Sequence, residues 1–203
     1  MYDRQKIKIM KKFVRRLFRN IKNFLITATD GKKYWISRSI AVHGILLLKN
    51  FETGEVYVLL ERRGPNCPDE IGKLANVCGY LDWRETLVDA LKREVYEEMG
   101  LYIDDLKTKS IKFSGIDDSI DGENAVKQNV TIRYEVTLDY KEVMSLLEDG
   151  EINCDTKSRG GESGEVSEIK VLKLTDSDPV DETQFAFNHG QIINSIIEHY
   201  KKW

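Results

Sequence analysis

One stretch of 23 residues, Gly79–Leu101, reads GYLDWRETLVDALKREVYEEMGL and governs how the rest of the chain is interpreted. Its second half predicts a helix over Thr86–Met99, because leucine and valine recur every four residues there. Gly100 follows in the position at which many helices end. The stretch therefore joins a loop to an amphipathic helix.

Three carboxylates of this helix lie on one face. Glu94, Glu97 and Glu98 are spaced i, i+3 and i+4, so their side chains share one side of the helix. Hard carboxylate oxygens suit Mg²⁺ or Mn²⁺, which complete their coordination with water and substrate phosphates. The spacing by itself leaves two interpretations equally open: a divalent-cation site, and a solvated acidic face that is paired with Lys92 and Arg93.

The wider spacing distinguishes between these interpretations. From Gly79 to Leu101 the chain follows the pattern G-x5-E-x7-R-E-V-x-E-E-x-G-L. This pattern resembles the Nudix box at every defined position, which is far more specific than a lone glycine motif. Upstream, the run Leu59–Arg63 (LLERR) is similar to the Leu-Leu-x-x-Arg end of a strand in that family. The resemblance covers about residues 38–200.

The resemblance implies an enzyme that hydrolyses a nucleoside diphosphate linked to another moiety, such as ADP-ribose, a nucleotide sugar or a dinucleotide. It implies Mg²⁺ or Mn²⁺ as cofactor, to neutralise the pyrophosphate and lower the pKa of bound water. An arginine–glutamate pair is expected to orient the first helix carboxylate. At the matching positions, we expect the metal to be bound by Glu94, Glu97, Glu98 and the Cys78 carbonyl. We expect catalytic roles for Glu94, Arg93, Glu85 and Glu165. We expect the substrate to be bound by Arg62, Gly79, Tyr80 and Trp83.

The general base differs between members of the family. Some use the glutamate that matches Glu94, and others use a glutamate on a later strand or loop, for which Glu162, Glu165 and Glu168 are the candidates. We favour Glu94 as ligand or base and Glu165 as the auxiliary residue. The alternative for Glu165 and Glu168 is an ordinary outward-facing strand position.

Two positions beside the box depart from the usual family sequence. Val77–Tyr80 (VCGY) stands where many members have Pro-Gly-Gly, and Trp83 replaces a small residue. Both Tyr80 and Trp83 lie near the expected metal loop. Each aromatic side chain either stacks on a nucleotide base or packs at the edge of the site.

Three other functions stay open at this point. Asn76–Gly79 (NVCG) is similar to the setting of the catalytic cysteine in isopentenyl diphosphate isomerase, but Tyr80 stands where that enzyme has a metal-binding histidine. A Nudix nucleotide sensor without turnover tends to lose box carboxylates, all of which are kept here. Decapping of RNA ends would give a basic N-terminal segment a purpose.

Outside the box, the hydrophobic pattern predicts both strands and helices. Ile40–Leu48 and Val56–Leu60 are continuous apolar runs typical of buried strands, whereas Val130–Leu138 alternates as a half-buried strand does. Gln191–Tyr200 predicts a terminal helix. We therefore predict an α+β fold for residues 25–203, and the resemblance implies the family's α/β/α sandwich with a mixed β-sheet.

Residues 1–24 differ in charge from the rest of the chain. The first 22 residues hold nine Lys and Arg side chains against Asp3 alone, whereas the formal net charge of the whole chain is −3. Apolar residues from Met10 to Phe24 recur at spacings of three and four, which predicts a basic amphipathic helix. Such a helix either contacts RNA or an anionic membrane surface, or packs on the domain or on a second copy in a homodimer. We favour packing.

Cysteine content and hydrophobic pattern indicate the cellular compartment in which the protein is expected. The three cysteines (Cys67, Cys78 and Cys154) show neither CxxC nor Cys/His ligand spacing, which argues against a disulfide framework or a zinc module. Apolar runs fall far short of the ~18 residues that cross a bilayer, and the N-terminus lacks the apolar core of a signal peptide. We therefore expect a cytoplasmic protein with no membrane span.

Deletion of residues 1–22 tests the role of the basic segment. If that segment binds RNA, its removal weakens hydrolysis of RNA ends and flattens the salt dependence, because fewer phosphate contacts release fewer counterions. Hydrolysis of small nucleotides changes little. The measurement is the rate on both substrates across a salt series, and aggregation or a changed oligomeric state of the shortened protein would contradict the RNA interpretation.

Overall fold

A seven-stranded mixed sheet lies at the centre of the computed structural model, which describes residues 24–27, 29, 31, 33–36, 40–82, 84–118, 129–149, 152 and 164–201. The predicted N-terminal helix lies outside these residues, apart from Phe24, which begins the first strand. The elements in chain order are β1 Phe24–Thr27, β2 Lys33–Ile36, β3 Ile40–Lys49, β4 Val56–Arg63, β5 Leu74–Ala75, β6 Val77–Tyr80, α1 Leu87–Met99, β7 Lys109–Asp117, β8 Val130–Asp139, α2 Tyr140–Glu148, β9 Val166–Lys173 and α3 His189–Lys201.

Strand β3 organises the sheet because it pairs with three partners. The strand order is β5-β4-β3-β8-β7, with β6 also paired to β3 and β9 to β4. The β3–β8 pairing is parallel, and the others are antiparallel. Eight consecutive residues of β3, from Ala41 to Leu48, are buried, as expected of a strand that is covered on both faces. Strands β1 and β2 form a separate antiparallel hairpin.

Helices cover both faces of the sheet. Leu46 and Leu48 of β3 belong to the core beneath α1, which includes Leu91 and Val95. The intervening Ile45 and Leu47 belong to the core beneath α3. This alternation follows from the two-residue period of a strand, and it confirms the predicted α/β/α sandwich.

The ends of α1 agree with the sequence prediction to within one residue. Thr86 is the N-cap, and its side chain accepts a hydrogen bond from the Asp89 amide. Gly100 ends the helix with a φ of 74°, a left-handed conformation that favours glycine. The N-cap of the helix therefore directly follows the box glutamate Glu85, and the helix ends at the box glycine Gly100.

Strand β7 was not predicted from sequence. It forms the edge of the sheet, and most of its side chains are exposed or half-buried, including Phe113 and Ile116. An exposed edge strand has no core face to impose an alternating pattern, so its sequence carries little signal. Among the residues that the structure describes, no helix has the length and apolarity needed to cross a membrane.

Candidate active site

Glycine at position 79 allows the acidic helix to lie against strand β6. A Cβ atom built at Gly79 would lie 2.1 Å from the side-chain carboxyl carbon of Glu94, far inside contact distance. Any side chain at position 79 would therefore displace this carboxylate. The sequence predicted that Gly79 was needed for a tight loop, whereas the structure shows that it is needed for close approach of Glu94.

Arg93 connects this helix to the preceding loop. Its Nε and Nη2 atoms donate to the two carboxylate oxygens of Glu85 at 3.0 and 3.1 Å, and Nη2 also donates to the Tyr80 carbonyl at 2.8 Å. Its Nη1 atom donates to Glu94 and, at 3.1 Å, to Glu97. The expected pairing of Arg93 with Glu85 is present, and one guanidinium fixes three carboxylates.

The acidic face of α1 is turned inward. Glu94 and Glu97 are only 9% and 8% exposed, so the face does not point to solvent as a surface helix would. Glu98 is partly buried, and its Oε2 atom accepts a hydrogen bond of 3.2 Å from the backbone amide of Cys78. The box carboxylates therefore meet strand β6 at Cys78 and Gly79.

A further carboxylate joins this group from the sheet, and sequence analysis did not identify it. Glu61 of β4 is 3% exposed. Its side chain follows Leu59 on the strand face that packs against α1, because alternate residues share a face. One feature of the sequence could have identified Glu61: it directly follows the apolar run Val58–Leu60. An acidic side chain that continues a strand buried on both faces needs a specific partner for its charge.

Burial and mutual repulsion make these carboxylates hold protons more tightly than usual. Burial raises the pKa of Glu98 well above its usual value, and the charges of Glu61 and Glu94 raise it further. Burial also raises the pKa of Glu94, although Arg93 opposes the effect. Burial raises the pKa of Glu61 to about 8 against the opposing charge of Arg63. The raised pKa values show that it is unfavourable for all of these buried carboxylates to be charged at once.

The candidates for the general base separate in the structure. Glu165 precedes β9, and its charge contributes to the raised pKa values of Glu61, Glu94 and Glu98, so it lies beside the acidic group. Glu168 is exposed and forms a 2.6 Å ion pair with Arg62. Glu162 lies outside the described residues.

The substrate-binding candidates are distributed around this group. Arg62 donates to the Gly72 carbonyl as well as to Glu168, so its guanidinium lies outside the acidic group. The Tyr80 hydroxyl accepts a 2.9 Å hydrogen bond from Asn129, which holds the ring at the end of β6. Trp83 lies outside the described residues. The assignment of Arg62, Tyr80 and Trp83 to the substrate stays a prediction.

A second buried polar group lies on the opposite face of the sheet. His43 and His189 are 2% and 3% exposed, and their rings stack with centroids 4.4 Å apart. The Nδ1 atom of His189 accepts from the Asn76 amide at 3.1 Å. Burial is the main cause that lowers the pKa of both histidines, so they are neutral at pH 7. The two histidines show no ligand spacing along the chain, and the fold brings their rings together.

The chemistry of the donor set on α1 fits a hard divalent cation. Within the described part of the chain, no three His, Cys, Asp or Glu side chains converge closely enough to hold a metal ion as they stand. One oxygen of Glu94 and one of Glu97 accept hydrogen bonds from Arg93. The available oxygens are carboxylate and carbonyl, the types that Mg²⁺ and Mn²⁺ prefer, and Glu61 Oε2 is buried without a hydrogen-bond partner.

A family comparison agrees with this geometry. The NUDIX domain model matches residues 39–194, which is most of the chain. The chain therefore belongs to the NUDIX domain family. It is an enzyme of that family, a hydrolase acting on phosphoric anhydride bonds. The family predicted from the box is thus confirmed. No curated protein matches the chain by sequence.

Solved structures of Nudix proteins share the fold. The NUDIX domain of Shewanella oneidensis NrtR, solved with ADP ribose, is 19% identical, with a TM-score of 0.53 over 80% of this chain and 88% of that chain. The M. smegmatis Nudix hydrolase RenU is 15% identical, with a TM-score of 0.52 over 89% and 96%. A MutT/nudix family protein from Enterococcus faecalis is 16% identical, with a TM-score of 0.53 over 100% and 76%. At these identities the likeness shows the fold.

Substitution of Gly79 by alanine tests the contact with Glu94. We expect Gly79→Ala to fold, because the displaced atoms are the far end of a flexible side chain, and to lose on the order of 10²-fold in hydrolysis rate. The measurement is turnover together with the unfolding midpoint in denaturant.

Gly44→Ala is the matched control, because Gly44 faces Val77 on the neighbouring strand and its added Cβ would lie 2.6 Å from Leu91 Cδ1. That change crowds the core without touching a carboxylate, so it lowers stability and preserves turnover of the folded protein. Equal losses of turnover in both variants would contradict a specific role for Gly79.

Proposed function

We propose that the protein is a Mg²⁺-dependent pyrophosphohydrolase that cleaves the diphosphate of a nucleoside diphosphate linked to another moiety. The observation that carries the proposal is the set Glu94, Glu97 and Glu98, of which Arg93 holds the first two and the Cys78 amide holds the third. Substrates such as ADP-ribose, a nucleotide sugar or a dinucleotide have the required bond. The ADP ribose bound to the similar NrtR domain supports this class.

Glu94, Glu97 and Glu98 are the residues that would hold the cation, together with the Cys78 carbonyl. When bound, a divalent cation neutralises pyrophosphate charge and makes water a better nucleophile near neutral pH. Arg93 carries the positioning role, because its bonds to Glu85 and the Tyr80 carbonyl fix the rotamer of a guanidinium that also touches Glu94 and Glu97. Burial alone would lower the pKa of Arg93, but Glu94 and Glu85 outweigh it and raise that pKa, so the guanidinium stays charged.

Proton transfer requires a carboxylate that is free to accept a proton from the attacking water. Glu94 accepts a hydrogen bond from Arg93 and is one of the residues that would hold the cation, whereas Glu165 directly precedes β9, outside the box helix. Glu165 is therefore the proposed base when Glu94 is committed to the cation.

The proposal is tested by a hydrolysis screen on the full-length chain. The substrates are ADP-ribose, nucleotide sugars, dinucleotides, nucleoside triphosphates and capped RNA, each with and without Mg²⁺, and product chromatography identifies the broken bond. Mg²⁺-dependent release of a nucleoside monophosphate from a substituted diphosphate supports the proposal. Binding of these nucleotides without any turnover would instead indicate a sensor.

Substitution of the box carboxylates tests which residues are responsible. Glu97→Gln and Glu98→Gln each remove a charge while keeping volume, so we expect a loss on the order of 10²-fold or more in rate with the fold intact. Asp89→Asn is the matched control, because Asp89 lies on the same helix, in the first turn, at the Thr86 cap. Full turnover by both glutamine variants would contradict the assignment.

The thiol of Cys78 separates hydrolysis from isomerisation. A hydrolase needs only the backbone at this position, where the amide bonds Glu98, so Cys78→Ser keeps most turnover. An isomerase that uses the thiol for proton transfer would lose nearly all turnover, because an alcohol is a far weaker acid. Assays of both activities on both proteins make the comparison, and an isomerase activity that disappears in Cys78→Ser would reverse the assignment.

A further inference from the structure

Glu61 has no role in the function described so far. Its carboxylate is 3% exposed, and its Oε2 atom has no hydrogen-bond partner in the part of the chain that the structure describes. An unpartnered buried acid is costly, because neither water nor a donor replaces its lost hydration. A buried carboxylate oxygen without a hydrogen-bond partner therefore calls for an explanation, which the residues around Glu61 can supply.

The surroundings of Glu61 are the box carboxylates. Glu61 shares the α1-facing side of β4 with Leu59, which packs in the core that contains Val95 and Met99. Among neighbouring charges, Glu61 is the one that contributes most to the raised pKa of Glu98. Glu61 therefore lies buried on the sheet face that α1 covers, the face on which Glu94 approaches Gly79.

In the part of the chain that the structure describes, no positively charged side chain forms a hydrogen bond with this oxygen. Arg63 is the neighbouring cation that most opposes the raised pKa of Glu61, but its Nε and Nη2 atoms donate to Asp69 at 3.0–3.2 Å. Arg93 directs its donors to Glu85, Glu94 and Glu97. A divalent cation bound from solution is a group that can pair with Glu61.

We propose that Glu61 is an additional ligand of a divalent cation, which extends the metal site from the helix face at Glu98 to strand β4. The proposal rests on the proposed Mg²⁺-dependent function and adds a ligand outside the box. Carboxylate oxygens are the donors that Mg²⁺ and Mn²⁺ select, with water and substrate phosphates completing the coordination. Glu165, which also faces this group, lies at the edge of the same region.

Mn²⁺ binding to the full-length protein without nucleotide tests the proposal. Free Mn²⁺ is followed by electron paramagnetic resonance during titration, for the wild type and for Glu61→Gln, which keeps the shape of the side chain and removes its charge. We expect Glu61→Gln to lose one bound Mn²⁺ or to weaken its binding at least about tenfold. Wild-type stoichiometry and affinity in Glu61→Gln would overturn the proposal.

Glu55→Gln is the matched control. Glu55 stands directly before the same strand, but its carboxylate pairs with Lys173 at 2.6 Å, away from the acidic group. We expect this variant to bind Mn²⁺ as the wild type does. Equal weakening in both glutamine variants would show a general loss of negative charge and would overturn the assignment to Glu61.

A second measurement keeps the test independent of turnover. Mn²⁺ that binds the folded chain raises its unfolding temperature, and Glu61→Gln should lose most of that increase, whereas Glu55→Gln keeps it. If Glu61→Gln does not fold, Glu61→Asp is titrated in its place. Asp retains the charge but withdraws it by one methylene, so wild-type affinity in that variant also overturns the proposal.

Failure of this inference is distinguishable from failure of the proposed function. A wild-type protein that binds no Mn²⁺ contradicts the metal-dependent function and the role of Glu61 together. If the wild type binds Mn²⁺, Glu98→Gln weakens that binding and Glu61→Gln does not, only the role of Glu61 is contradicted.

Discussion

A single guanidinium organises the region on which the rest of the site depends. Arg93 bonds the loop through Glu85 and the Tyr80 carbonyl, and it bonds its own helix through Glu94 and Glu97. These bonds are charge-assisted and buried, so they are stronger than surface ion pairs. Without this residue, the loop would lose its main link to the acidic face, and the carboxylates would face one another with no opposing charge.

The acidic group around Arg93 holds more carboxylate side chains than guanidinium side chains. Two unit charges 4 Å apart interact by about 4 kcal/mol at an effective dielectric constant of about 20, so each added carboxylate is opposed by its neighbours. Glu61 and Glu98 respond by holding protons more tightly than free acids do. A cation that bound these oxygens, as we propose, would displace their protons, so its binding would be linked to proton release.

Sequence predicted the parts of the site whose chemistry is local. The helix face and the Arg93–Glu85 pair lie within 23 consecutive residues, where spacing determines geometry, whereas the role of Gly79 in the approach of Glu94 was seen only in the structure. The mixed sheet was predictable because β3 and β4 are long apolar runs. Glu61 was missed, because its approach to α1 depends on the pairing of separate strands. The stacking of His43 on His189 was missed for the same reason.

The position of Gly79 shows how local and long-range constraints combine. Strand β6 must pair with β3 through Val42 opposite Gly79, while α1 must bring Glu94 within contact of the same residue. A side chain at position 79 would be compatible with the first requirement and would violate the second. Position 79 therefore meets a strand requirement and a helix requirement at once, and glycine satisfies both because it has no Cβ atom.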